Sequence, residues 1–218
     1  MITGSHNPKD DNGLKMVIND NPISGYEIME SVENLSEVPI TDSKMIESVD
    51  FEKKYIEEVA NKIKINKKFK VVLDGGNGAA GILADKMFNA IGLEVVSINK
   101  EPDGNFPNHH PDPSKESNLL ELKQVINLLN ADIGFAFDGD GDRIGLITND
   151  GQSIVADQII MLMAEYYLDK KKGAIVFDVK CSNQLPILIE KLGGDPIMEK
   201  TGHFNIKKRI KQTNAVLG

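Results

Sequence analysis

The chain has 218 residues, of which 40% are hydrophobic and 27% are charged, and its formal net charge is −8 at pH 7. This length allows one large domain or two small ones with a proper core, and the acidic balance argues against nucleic acid as a main partner. No apolar run approaches the roughly 20 residues that span a membrane, and the first residues lack a basic-then-apolar signal. The single Cys181 excludes an internal disulfide and is typical of a reducing compartment, so we expect a cytoplasmic protein in which Cys181 is a packing residue.

The first stretch with chemistry is Thr3-Gly4-Ser5-His6-Asn7-Pro8, followed by Asn12-Gly13-Leu14-Lys15. Gly, Asn and Pro predict a turn that exposes Ser5. The sequence argues against a nucleophile–base pair of Ser5 and His6, because adjacent side chains seldom face each other and no third triad member is evident. Ser5 could instead carry a phosphate, which would need a cation and basic neighbours. Taken alone, the hexapeptide favours an ordinary turn serine.

Residues 20–46 are polar and weakly patterned, with turn signals at Asn21-Pro22 and Ser24-Gly25. Apolar residues spaced four apart then predict a helix over roughly 48–63. A strand beginning at Lys70 leads into a glycine-rich turn, in which Gly76, Gly78 and Gly81 satisfy the dinucleotide-binding pattern. The next strand, Glu94 to Ile98, does not end in the acidic residue that would bind ribose, so close packing is the favoured interpretation of the turn.

A loop rich in proline and polar residues runs from Pro102 to Pro113 and contains His109 and His110. The two histidines lack a nearby Cys or third His, which favours a surface loop over a zinc site. The next helix, over about 117–130, is predicted to bury one apolar face. It leads into a strand at 133–137.

Three carboxylates at alternate positions form the loop Asp138-Gly139-Asp140-Gly141-Asp142-Arg143, between the apolar strands 133–137 and 144–147. Three negative charges within five residues are costly unless a cation compensates them, and convergent carboxylates suit Mg²⁺ or Ca²⁺. A calcium-binding helix–loop–helix would need Gly at the sixth place and Glu at the twelfth, where Arg143 and Asn149 stand. We therefore rank a metal site above a solvated acidic turn.

The strand–turn–helix plan that begins at residue 70 recurs from residue 174 onward, which suggests two similar α/β units with a boundary near 151. We predict helices at 156–170, 182–192 and 204–213, with strands at 174–178 and near 197. Lys180 follows a strand and Thr201-Gly202-His203 opens a helix, and both places in α/β sheets tend to face ligands. A solvent-exposed lysine and a capping threonine are about equally compatible with the pattern.

The chain resembles the α-D-phosphohexomutases, most closely the bacterial phosphomannomutase/phosphoglucomutase group. The resemblance lies in the serine loop, the run from Pro102 to Pro113, the acidic loop and Thr201-Gly202-His203, which occur in the family's order. It implies mixed-sheet three-layer α/β/α domains of the phosphohexomutase type, truncated at both ends. It also implies that the glycine-rich turn is structural.

The resemblance further implies a reaction that moves phosphate between the 1 and 6 hydroxyls of a hexose, mannose or glucose, through a phosphoserine and a bisphosphorylated sugar. The catalytic residues would be Ser5, His6, Lys15 and Arg143. One Mg²⁺ would be held by Ser5, Asp138, Asp140 and Asp142. The substrate would contact Lys180, Thr201, Gly202 and His203. A hexose 1,6-bisphosphate would act as activator, and no protein partner, nucleic acid or membrane is expected.

The same resemblance divides the chain into the end of domain I (1–48), domain II (49–150) and the start of domain III (151–218), with domain IV absent. We expect such a piece to turn over poorly, because the missing fourth domain grips the non-reacting phosphate. Two alternatives stay open at this point. One is a non-catalytic remnant that binds metal, and the other is a metal-dependent phosphatase in which water takes the phosphate from Ser5.

Overall fold

The computed structural model describes residues 1–5, 7–19, 21–33, 35 and 49–218. These residues form two compact units. The first unit contains residues 2–5, 7–14 and 49–154, and the second contains residue 1, the described residues between 15 and 35, and residues 155–218. Among the described residues, no helix combines the length and the apolar character needed to cross a membrane.

The helices and strands alternate along most of the chain, as the sequence predicts for an α/β protein. In chain order they are β1 Val17–Ile18, β2 Asn21–Pro22, α1 Gly25–Glu33, α2 Glu52–Ala60, β3 Lys70–Asp74, α3 Ala80–Ala90, β4 Glu94–Ile98, α4 Leu120–Leu129 (preceded by a 3₁₀ turn, Glu116–Leu119), β5 Ile133–Phe137, β6 Ile144–Thr148, β7 Ser153–Ile154, α5 Ala156–Lys170, β8 Ala174–Asp178, α6 Gln184–Lys191, β9 Asp195–Glu199 and α7 His203–Thr213.

A five-stranded mixed sheet organises the first unit, in the order β4-β3-β5-β6-β7. The strands β4, β3 and β5 are parallel, whereas β6 and β7 are antiparallel additions. Alternate residues of β3 face opposite sides, so Val72 packs in a cluster with Leu122 and Ile126 of α4, and Val71 packs with Ala84 of α3. Helices therefore cover both faces, and the predicted three-layer α/β/α architecture is confirmed.

The second unit contains a two-stranded parallel sheet, β8 and β9, with α6 between the strands in sequence. Its core joins Ala164 and Leu168 of α5, Ile175 of β8, and Leu185 and Ile189 of α6. Cys181 packs against this core, and burial is the main cause that raises the pKa of its thiol, as expected for a packing residue.

Several predicted boundaries need correction. The helix expected at 48–63 spans Glu52–Ala60 within the described residues, and residue 48 lies outside them. The helix expected at 117–130 begins with the 3₁₀ turn, and the one expected at 182–192 is shorter, Gln184–Lys191. Within the weakly patterned stretch 20–46, the structure forms β2 and the helix α1, and residues 20, 34 and 36–46 lie outside the described part.

Candidate active site and metal centre

The acidic loop connects the antiparallel strands β5 and β6, as the sequence predicts. Asp138 lies directly after β5 and is fully buried, whereas Asp142 is exposed. The backbone closes the loop, because the N–H of Gly141 donates to the carbonyl of Asp138 at 3.0 Å. The N–H of Arg143 donates to a carboxylate oxygen of Asp138, also at 3.0 Å. The hairpin therefore directs its first carboxylate inward.

The three carboxylates converge. One oxygen from each of Asp138, Asp140 and Asp142 can be chosen so that all three lie within 4.8 Å of one another. Burial is the largest cause that raises the pKa of Asp138, and the charges of Asp140 and Asp142 add to it, while hydrogen bonds from Arg143 and Ser5 act in the opposite direction. A buried carboxylate beside two others is stabilised by a cation, so this donor set fits a hard divalent metal ion.

The serine loop lies against the acidic loop within the same unit. The hydroxyl of Ser5 is 3.1 Å from Oδ2 of Asp138 and 3.3 Å from Oδ1 of Asp140. Ser5 has a φ of 56°, a left-handed conformation that is uncommon for a non-glycine residue and is frequent at functional sites. Two segments more than 130 residues apart therefore bring a hydroxyl to the edge of the carboxylate cluster.

Thr3, which was not predicted as a site residue, links the serine loop to the acidic loop. Its hydroxyl donates to Oδ2 of Asp140 at 3.0 Å and accepts a hydrogen bond from the N–H of Ser5 at 2.8 Å. It thus fixes Asp140 and the backbone of Ser5 at once. A threonine two residues before the turn residue it supports is a known local motif, so this spacing was a usable signal.

The glycine-rich turn after β3 supports the acidic loop from behind. The N–H of Ala79 donates to the carbonyl of Gly139 at 2.9 Å. A Cβ atom on Gly78 would lie 2.7 Å from that same carbonyl oxygen, and one on Gly139 would lie 2.3 Å from the carbonyl oxygen of Ser5. These contacts leave no room for a side chain at either position, so the glycine-rich turn packs closely against the acidic loop.

Of the two predicted basic residues, Arg143 lies beside the acidic loop, whereas Lys15 belongs to the second unit. The side chain of Arg143 is half exposed, and its Nε lies 3.8 Å from Oδ2 of Asp138. Lys15 belongs to the second unit, where its backbone pairs with that of Met1. His6 lies outside the described residues. The catalytic roles of Lys15 and His6 therefore stay predictions.

The predicted substrate-binding residues lie in the second unit, after β8 and at the start of α7. Asp178, which was not predicted as a site residue, connects Lys180 with Thr201. Its carboxylate accepts from the N–H of Lys180 at 2.6 Å, lies 3.3 Å from Nζ of Lys180, and accepts from the hydroxyl of Thr201. Partial burial opposes ionisation of Asp178, but these hydrogen bonds together lower its pKa. His203 is the first residue of α7, and Gly202 precedes it with a φ of 124°.

The comparisons with known proteins decide the family. Sequence models described as phosphoglucomutase/phosphomannomutase, alpha/beta/alpha domain II and domain III match residues 53–151 and 155–218. The chain belongs to the phosphoglucomutase/phosphomannomutase family. The family resemblance proposed from the sequence is thereby confirmed.

Relatives in this family match the chain over its whole length. It is 46% identical to a phosphomannomutase/phosphoglucomutase of Pseudomonas putida, and covers 47% of that protein. It is 41% identical to a phosphoglucomutase of Neisseria gonorrhoeae, of which it covers 48%. A solved phosphoglucomutase/phosphomannomutase family protein from Burkholderia thailandensis is 42% identical and superimposes with a TM-score of 0.89 over 98% of this chain and 47% of that one. The chain spans about half the length of the curated relatives it matches.

Proposed function

We propose that this chain carries the phosphoserine and metal-binding parts of a hexose phosphate mutase that interconverts the 1- and 6-phosphates of mannose or glucose. The single observation that carries the proposal is the approach of the Ser5 hydroxyl to Asp138 and Asp140. The names of the relatives support the substrate class. In this proposal residues 1–48 end domain I, residues 49–150 form domain II and residues 151–218 begin domain III.

In the first half-reaction, the hydroxyl oxygen of Ser5 forms a bond to the phosphorus of a hexose 1,6-bisphosphate. The bond from phosphorus to the sugar oxygen breaks, and the serine proton ends on that oxygen. The phosphoserine then donates its phosphate to the free 6-hydroxyl of a hexose 1-phosphate, whose proton passes to the Ser5 oxygen, and this gives the 1,6-bisphosphate. Ser5 takes the 1-phosphate back from that bisphosphate, so that hexose 6-phosphate leaves and the phosphoserine is restored. Little covalent chemistry is required of the protein, so catalysis depends on positioning and on charge stabilisation.

Asp138, Asp140 and Asp142 would hold one Mg²⁺, with an oxygen on Ser5 as a further ligand. When bound, the ion would supply positive charge to the phosphoryl oxygens. Arg143 would add a guanidinium beside the same group, and Lys15 or His6 would assist proton movement. Lys180, Thr201, Gly202 and His203 would contact the sugar phosphate.

The test is the intact mass of the chain before and after incubation with glucose 1,6-bisphosphate and Mg²⁺. We expect one added phosphate, lost in Ser5→Ala and absent when a chelator replaces the metal. The matched control is Ser24→Ala, which changes a serine in the second unit. No added phosphate on the unchanged chain, or equal phosphate on Ser5→Ala, would contradict the proposal. Phosphate release without exchange between hexose 1- and 6-phosphates would favour the phosphatase alternative instead.

A further inference from the structure

The run from Pro102 to Pro113 has no role in the proposed reaction, but the structure turns one of its histidines inward. The side chain of His109 is 13% exposed, and its Nε2 lies 2.9 Å from Oδ2 of the fully buried Asp74 at the end of β3. Its Nδ1 lies 3.0 Å from the carbonyl of His110. Both ring nitrogens therefore face oxygen acceptors, an arrangement that suits the doubly protonated ring.

Asp74 is the centre of a hydrogen-bond network. Its second oxygen, Oδ1, accepts from the N–H of Gly76 at 2.9 Å and from the side-chain amide of Asn99 at 3.2 Å. The N–H of Asn77 in turn donates to the carbonyl of Asn99 at 2.7 Å. A buried carboxylate needs such partners to offset its lost hydration. Asp74 thus ties the turn after β3 to the end of β4, and His109 joins its own loop to the same carboxylate.

That turn is the support of the acidic loop. Ala79 donates to the carbonyl of Gly139, the residue between the first two carboxylates. The loop that carries His109 also contacts this region directly, because Pro111 atoms lie 3.2 Å from the Cβ position of Gly76 and 3.6 Å from that of Gly139. A continuous series of contacts therefore runs from His109 through Asp74 and the turn to Gly139.

We infer that His109 is a positioning residue for the acidic loop, acting through Asp74 and the glycine-rich turn. The inference rests on the proposed function where it concerns metal affinity. Without the imidazole ring, Oδ2 of Asp74 would lose its hydrogen-bond partner. The glycine-rich turn, which contacts Gly139, would then be held by fewer hydrogen bonds. The carboxylates of Asp138 and Asp140 would then spend less time in the convergent geometry.

The test compares His109→Gln with His110→Gln, its neighbour, whose side chain is exposed and whose carbonyl the substitution leaves in place. Mg²⁺ binding is measured by calorimetry at a temperature where both variants are fully folded. Loss of a group that hydrogen-bonds a metal ligand typically weakens metal affinity 10–100-fold. His109 acts further from the ligands, so we expect a measurable loss of at most about tenfold for His109→Gln and none for His110→Gln. Equal Kd values for the two variants would contradict the inference about metal affinity.

Amide hydrogen exchange provides a second readout that needs no metal. In His109→Gln we expect faster exchange at the amides of Ala79 and Gly141, with unchanged rates in β5 and β6. Unchanged rates at Ala79, or a uniform increase throughout the unit, would overturn the positioning role. If the unchanged chain binds no Mg²⁺, the metal part of the proposed function fails, and the exchange at Ala79 still decides the inference.

A second variant guards against loss of folding in His109→Gln. Asp74→Asn keeps an oxygen for Gly76 and an amide that can donate to the neutral ring of His109, but removes the negative charge. We expect the same localised acceleration at Ala79, smaller in size. Exchange at Ala79 identical to that of the unchanged chain would count against the role of the ion pair.

Discussion

Ser5 and Asp138 lie 133 residues apart, yet the Ser5 hydroxyl donates to the Asp138 carboxylate across 3.1 Å. Asp138 is fully buried at the end of β5, and Ser5 reaches it from a turn in the left-handed conformation. An alcohol beside a buried carboxylate is a modest hydrogen bond on its own. Asp140 and Asp142 place carboxylate oxygens near the same point. A cation bound there would lie beside a phosphate on Ser5.

Asp138→Asn should distinguish the effect of the Asp138 charge on the stability of the metal-free chain from its effect on Mg²⁺ binding. Burial raises the pKa of Asp138, so the folded chain binds a proton at this carboxyl more tightly than the unfolded chain does. The stability that this proton contributes is lost as the pH rises through the raised pKa. At neutral pH we expect the metal-free variant to be at least as stable as the native chain. We also expect it to lose the stabilisation that Mg²⁺ gives, about 2.7 kcal/mol at 100 times Kd.

The measurement for Asp138→Asn is the thermal midpoint with and without Mg²⁺. Asp169→Asn on α5 is the control, because it removes an exposed carboxylate far along the chain from the loop. A variant that keeps the full Mg²⁺ shift would contradict the assignment of Asp138 as a ligand.

Gly139→Ala tests the junction between the serine and acidic loops. The added Cβ would lie 2.3 Å from the carbonyl oxygen of Ser5, so one of the two loops must move. Overpacking of this kind costs about 1–3 kcal/mol, which corresponds to a loss of at least about fivefold in the population of chains whose Ser5 hydroxyl reaches the acidic loop. We expect the rate of Ser5 phosphorylation to fall by at least that factor. Gly104→Ala is the control, because no atom lies within 4 Å of its Cβ position.

The regular elements were predictable where the apolar pattern was strong. The helix at 156–170 has its predicted bounds because polar and glycine-containing turns flank a continuous amphipathic run. The helix α1 was missed, although Ser24 and Glu27 form a reciprocal cap: the N–H of Ser24 donates to the Glu27 carboxylate, and the N–H of Glu27 donates to the Ser24 hydroxyl. This capping box was legible in the sequence and outweighs the turn signal of Gly25.

The candidate site was predictable only in part. The acidic loop and the serine loop each stand out by composition, and the family resemblance joined them. His109 and Asp74, by contrast, are 35 residues apart, and no local spacing indicates that one is buried against the other. Asp178 was equally hidden, because its partner Thr201 belongs to a different loop. Long-range polar pairs of this kind depend on the tertiary fold.

The stability of the first unit should depend on pH through His109. The hydrogen bond to Asp74 is the largest cause that raises the pKa of His109 to about 9. Stability from a raised histidine pKa is fully present below about 6.5 and is lost as the pH rises through about 9. The shift corresponds to at most about 3 kcal/mol. Urea midpoints from pH 6 to 10 should therefore fall more steeply for the native chain than for Asp74→Asn.

The difference between the two urea profiles is the quantity to compare, because other titrating groups contribute to both. The charged groups that act on the ring are Asp74 and, more weakly, Glu121. Glu121→Gln is thus a useful control and should flatten the profile only slightly. Parallel profiles for the native chain and Asp74→Asn would show that the ion pair does not contribute to stability in this range.

Asp178→Ala should weaken binding of hexose phosphate by disconnecting Lys180 from Thr201. The carboxylate of Asp178 holds the backbone of Lys180 and the hydroxyl of Thr201, so its removal frees two segments that we propose to contact the substrate. Losing hydrogen bonds to a charged group costs about 1.5–3 kcal/mol, hence we expect a decrease in affinity of roughly tenfold or more. Asp178→Asn keeps an acceptor for the N–H of Lys180, so its affinity for hexose phosphate should decrease less.

Calorimetric titration with glucose 1-phosphate measures the affinity of both variants. The control is Asp195→Ala, which removes an exposed carboxylate on β9. An unchanged affinity in Asp178→Ala would separate Asp178 from substrate binding and leave it as a structural link between β8 and α7.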